Sequence, residues 1–226
     1  MLTSLAFKHY QEPENLIKIF AAFAFADEGS LGFDPTIQPV MGDMGQFDVT
    51  VHPDNDKQNP RKFRTVQVIF SYGLEYLRGP GTRVFEAVEL DGSGEPNGPH
   101  VVLKDTWADS DWMREGKIVD SLYEAADGDD KELTKKYFLT TIAHGDVWIE
   151  PNIVDNTASG LLRGLSVTPD RYSMLQLEHR FVYSRQKYTH RTHYRIVFKE
   201  ICKLIHLIRS VSGVMTVLRE TVRGGF

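Results

Sequence analysis

The alternation of apolar and polar positions changes period several times along the 226 residues, and each change predicts an element. From Pro13 onward, Leu16, Ile17, Phe20, Phe23 and Ala24 fall on one helical face, with Glu14 suited to the helix's positive end. Gly29 and Gly32 are expected to stop this helix, and its aromatic stripe reads as core or inter-lobe packing. Residues 33–45 read as an extended connector, 47–52 as a short strand and 53–64 as a polar loop. Period-two alternation follows. Val66, Val68, Phe70 and Tyr72 mark a strand over 65–77, in which Gly73 suggests a bulge. A glycine turn at 79–82 sends the chain back along 83–90, and a loop at 91–99 leads to a third strand at 100–107.

The second half continues the mixture. Met113, Ile118, Val119 and Leu122 share a helical face, with Asp109 or Ser110 as the expected N-cap and Gly128-Asp129-Asp130 as the stop. Two short strand signals flank His144-Gly145-Asp146, which reads as a turn. Residues 151–170 form an insertion rich in Gly, Ser, Thr, Asn and Pro. Residues 171–195 read as a strand pair with aromatics inward and charges outward. Residues 194–198 are a clean strand, and a final helix over 213–223 is expected to be capped by Ser212. The fold class is therefore α+β: a twisted, largely antiparallel sheet with one key helix, flanked by N- and C-terminal helices.

Chemistry concentrates around the glycine turn. A lone Gly-x-Gly is weak evidence, because tight turns use glycine for its positive φ alone. Lys104 adds to it. It follows Val101-Val102-Leu103, where a charge is costly unless it meets an anion or a carboxylate. The plain alternative is a lysine snorkelling from a strand end. Glu115, on the next helix, is the favoured partner, and Glu124 is a second candidate.

The stretches RGPGTRVFEAV, VVLKDTW and EGKIV, with FDPTIQPV upstream and HYRIVFKEIC downstream, occur in the order found in fungal-type protein kinases. The chain resembles that family from roughly residue 16 onward. The resemblance implies a protein-kinase-like N-lobe that binds ATP with Mg²⁺ and, in a complete member, serves phosphoryl transfer to serine or threonine of a protein substrate. In that picture Gly79, Gly81 and Thr82 cover the phosphates and Val84 packs on the base. Lys104 contacts phosphate, Glu115 orients Lys104, and the backbone of Glu200, Ile201 and Cys202 meets the adenine edge. It also implies a division into an N-terminal extension (1–64), a nucleotide-binding lobe (65–203) with an insertion at about 151–193, and the start of a second lobe (204–226).

One departure limits this expectation. No His-Arg-Asp loop and no Asp-Phe-Gly follow the strand at 194–198. His144-Gly145-Asp146 with Asn152 imitates a catalytic loop, but Gly145 replaces the arginine, Asn152 is one position too far, and the tripeptide precedes the hinge-like strand. The chain is thus expected to be an N-terminal, truncated portion, inactive alone. The competing expectation is a non-catalytic kinase-like interaction module that self-associates through an exposed second-lobe face.

Composition narrows the surroundings. A net charge of −5 and a pI near 5.9 give no bias toward nucleic acid or an anionic membrane. The basic and aromatic residues of 171–195 could suit RNA, but they carry no RNP-like pattern. Cys202, the single cysteine, excludes an internal disulfide, fits a reducing compartment and reads as a small buried hydrophobe. No run approaches the roughly 20 apolar residues of a membrane span. A basic leader with a cleavage site is missing too, so a cytoplasmic or nuclear protein, not a secreted one, is expected. Asp54 and Asp56 lack calcium-loop spacing, His179, His190 and His193 lack zinc spacing, and no metal ligand is assigned.

Overall fold

The computed structural model describes residues 10–72, 81–157, 190–202 and 207–224. Its strands are β1 (Ile37–Pro39), β2 (Phe47–Val51), β3 (Arg61–Tyr72), β4 (Thr82–Leu90), β5 (Pro96–Asp109), β6 (Thr141–Asp146), β7 (Trp148–Glu150), β8 (Ile153–Val154) and β9 (Arg191–Phe198). The helices are α1 (Pro13–Phe25), α2 (Glu28–Leu31), α3 (Glu115–Ala125), α4 (Gly128–Tyr137) and α5 (Val211–Gly224). Seven strands form one antiparallel sheet in the order β1-β2-β3-β4-β5-β9-β6, and β7 and β8 make a separate hairpin. The class is mixed, with a curled antiparallel sheet and a few helices.

Curling gives the sheet an inside. Val49, Val51, Phe63, Phe85, Ala87, Val101, Leu103, Ala143 and Val197 cluster there, drawn from alternate positions of six strands. Bulges between Thr65 and Gln67 and between Val68 and Phe70 bend β3. The curl nearly closes: the amide of Asp54, just past β2, donates to the carbonyl of His144 on β6 at 2.8 Å. Gly145 permits that approach, since a Cβ there would stand 2.0 Å from the carbonyl oxygen of His52.

Several expectations change. The 33–45 connector contains β1, and β1 and β2 extend the same sheet as β3. Residues 61–64, read as loop, begin β3, and residues 96–99 belong to β5. Gly128 does not end the helical region. α3 has already ended at Ala125, and with Asp127 accepting from its amide Gly128 opens a further helix, α4, which the sequence reading did not expect. His144-Gly145-Asp146 is strand, not turn, because its backbone pairs with β9. Ser210, not Ser212, accepts from the Gly213 amide near the start of α5. The stripe on α1 is not core: none of its described residues is buried. The expected bulge at Gly73, residues 79 and 80 of the 79–82 turn and most of the insertion lie outside the described residues.

Candidate functional site

On the outer face, one row of side chains crosses four adjacent strands, the last of them the edge strand β6. Val84 of β4 pairs with Lys104 of β5, Lys104 with Ile196 of β9, and Ile196 with His144 of β6. Lys104 Nζ lies 2.5 Å from Glu115 Oε2, with the two side chains 29% and 44% exposed. Glu115 is the first residue of α3, where unpaired amides favour a carboxylate. Glu124, the second candidate, sits further along α3, and the contact is made by Glu115. Nearby, Thr82 and Thr106 share a hydroxyl hydrogen bond at 2.9 Å. Gly81 has φ +48°, a left-handed backbone that disfavours any side chain. Gly79 lies outside the described residues.

After β9 the chain runs beside the start of β6. The Lys199 amide donates to Thr140 O at 3.0 Å, and Glu200 Oε2 accepts from the Thr140 amide at 2.8 Å. Ile201 is 46% exposed and Cys202 is exposed, so the cysteine is not the buried hydrophobe its residue type suggested.

Helix α3 is moored by polar contacts. The Gly116 amide donates to the Tyr194 hydroxyl at 2.9 Å. Arg114 Nε reaches Asp146 at 2.7 Å, His144 Nε2 is 2.8 Å from Asp120, and Lys117 is 3.3 Å from Asp54. A Cβ on Gly116 would stand 2.2 Å from the His144 ring, so the glycine lets the helix lie against it. Asp109 and Ser110 do not occupy the cap position, which belongs to Arg114. His144 and Asp146 thus serve the helix, and Gly145 serves the sheet closure.

The inner face holds a second charged cluster. Asp105 is 2.8 Å from Arg195 Nε, 2.7 Å from His193 Nε2 and 2.5 Å from Arg83. Arg195 is fully buried and also donates to Thr36 Oγ1, the Thr50 carbonyl and Asp34. His193 stacks on Trp107 and turns Nδ1 toward Asp155 at 2.9 Å. A neutral imidazole has one N–H, so two carboxylates on its two nitrogens favour the cation. Burial alone would lower the His193 pKa, but the Asp105 charge and the hydrogen bonds to Asp105 and Asp155 outweigh it and raise the pKa. For Asp105, burial pushes upward, yet His193, Arg195 and Arg83 hold its pKa far below the usual carboxylate range. At 193 and 195 the outward-charge reading is corrected, since His193 and Arg195 point in, while residues 171–189 of that reading lie outside the described residues.

The fungal protein kinase family model matches residues 1–225, essentially the whole chain, and the chain belongs to that family. No curated protein and no solved structure matches it. Membership carries a kinase-type function, and such function uses ATP, Mg²⁺ and a protein substrate in general. No helix among the described residues is long and apolar enough to cross a membrane.

Tyr194, Gly116, His144 and the Asp105–Arg195 cluster were missed by sequence reasoning. For Asp105 a signal existed: alternation puts Lys104 and Asp105 on opposite faces, so one must face the core. For Tyr194 there was none, because its contact to Gly116 spans 78 positions.

Proposed function

We infer that the chain is the nucleotide-holding lobe of a serine/threonine protein kinase, the lobe drawn at 65–203 with 1–64 as an extension and 204–226 leading into a second lobe. The observation that carries this reading is the Lys104–Glu115 pair, reached across a strand-to-helix step. The order β3-β4-β5-β9-β6 supports it, with α3 entering between β5 and β6 in the chain. A partly exposed lysine, kept in place by a helix carboxylate, suits an ATP phosphate oxygen. Gly79, Gly81 and Thr82 would close over the phosphates, Val84 would meet the base, and the backbone at Glu200, Ile201 and Cys202 would face the adenine edge.

Magnesium, when bound with ATP, neutralises charge on the phosphates. Among the described residues no group of three or more His, Cys, Asp or Glu forms a metal site, and no ligand is assigned. Lys104 would bind and orient phosphate, and Glu115 would hold the ammonium in place. A proton-accepting aspartate of the His-Arg-Asp type is not among these 226 residues, so the chain alone would bind without transferring.

Calorimetric titration with Mg-ATP, beside Lys104→Met, tests the reading. Saturable binding lost in the variant is expected. Equal binding by both proteins would sink the site assignment. A second reading, a non-catalytic interaction module, is favoured by α1, whose Ile17, Phe20 and Phe25 are 67%, 65% and 89% exposed. It predicts concentration-dependent association without nucleotide binding. A chain monomeric at every concentration would count against it.

A further inference from the structure

Helix α3 carries Glu115 but is weakly anchored by apolar burial. Gly116 is its one buried residue, and Ile118 and Leu122 are 45% and 39% exposed. A short helix that buries so little relies on polar contacts to keep its place. Its cap residue Arg114 offers no side-chain hydrogen bond to the first-turn amides, which have no partners within the helix itself. One partner arrives from a strand instead. Tyr194 on β9 is 1% exposed, and its hydroxyl accepts from the Gly116 amide at 2.9 Å. The tyrosine is itself held. Arg114 lies 5.9 Å over its ring while bonding Asp146, and His144 stands 6.1 Å from it while bonding Asp120. Gly116 is joined directly to Glu115, so whatever fixes the Gly116 amide fixes the backbone that presents the carboxylate to Lys104.

We propose that Tyr194 is a positioning residue, whose hydroxyl caps the first turn of α3 from β9 and thereby sets the Lys104–Glu115 pair. The idea takes its functional meaning from the nucleotide-lobe reading, but the geometry it describes does not depend on nucleotide.

Tyr194→Phe removes the acceptor and keeps the ring. The readout is Lys104 itself, acylated with trace acetic anhydride at neutral pH and quantified by mass spectrometry against exposed Lys131. Losing the cap loosens Glu115, and Lys104 labelling is expected to rise about two- to tenfold, the weight of one hydrogen bond. In a Glu115→Gln background Lys104 has already lost its carboxylate, and adding Tyr194→Phe is expected to change its labelling little. A merely structural tyrosine would not give that non-additivity. Unchanged labelling in folded Tyr194→Phe, or equal increases in both backgrounds, overturns the proposal. If the variant does not fold, the wild-type protein decides. A Gly116 amide protected from hydrogen exchange supports the cap, and one exchanging at the unprotected rate removes it. Coupled labelling in a chain that binds no Mg-ATP would keep the positioning role and discard the nucleotide reading.

Discussion

Lys104 and Asp105 are neighbours in β5, yet the two faces of the sheet treat their charges differently. Lys104 faces outward to a single partly exposed carboxylate on a lightly anchored helix. Asp105 faces inward to two arginines and a histidine, with Asp34 and Asp155 beyond them. The inner cluster ties the connector before β1 to β5 and β9, and so fixes the fold. The outer pair is partly exposed, and in the proposed reading it serves a ligand. Identical charge chemistry takes a structural or a functional part according to how completely water has been replaced.

The sharpest way to break this contrast is Arg195→Met. It removes the buried guanidinium that Asp105 and Asp34 share, and removing one partner of a buried ion pair costs about 3–5 kcal/mol. Urea unfolding of the variant should show that loss. A change under about 1 kcal/mol, the scale of an exposed pair, would erase the difference between the faces.

Gly145→Ala comes next. Its Cβ would fall 2.0 Å from His52 O, backbone that cannot swing aside as a side chain could. The sheet closure must open, at about 1–3 kcal/mol for overpacking. Faster hydrogen exchange of the Asp54 amide should accompany the loss.

The His193 contribution depends on pH. Its folded pKa is raised above 6.5, so its stabilisation is complete below that value and fades as pH rises through the folded pKa. Asp34 moves the other way. Burial would raise it, but Arg195, hydrogen bonds to Thr36 and the His193 charge lower it below 3.8. Asp34 and Asp105 therefore stabilise above pH 3.8 and lose that contribution as pH falls through their folded values. Stability should be highest between the two limbs. His193→Gln should flatten the alkaline limb, by about 1.4 kcal/mol for each unit its pKa is raised. An alkaline limb unchanged in the variant would place the titration elsewhere.

The two faces also differed in how legible they were. The outer pair could be read from a lysine after an apolar triplet and a glutamate on the next helix, because both signals are local, although the helix start itself was placed too early. β2 and most of β3 could be read from period-two alternation, β4 and β5 from the glycine turn and the loop that bound them, and β9 from a short apolar run. The inner cluster could not, since Asp34, Asp105 and Arg195 are brought together only by sheet order. Arg195 in YRIVF looked like an outward charge because alternation separates the faces without saying which one is inside. α4 escaped because its polar surface buries no residue, leaving no apolar stripe to find.

The smallest expected effect is the one most revealing about function. Lys104→Met keeps the stem that packs beside Val84 and Ile196 and removes only a charge whose side chain is 29% exposed. Its loss of stability should stay within about 1 kcal/mol, the usual range for an exposed pair. Urea midpoints for the wild-type and variant proteins should nearly coincide, while the calorimetric signal for Mg-ATP disappears. A large destabilisation would mean that Lys104 and Glu115 hold α3 in place, as the inner cluster holds the connector. The pair would then be part of the architecture, and the division of labour between the two faces would fail at the residue chosen to represent it.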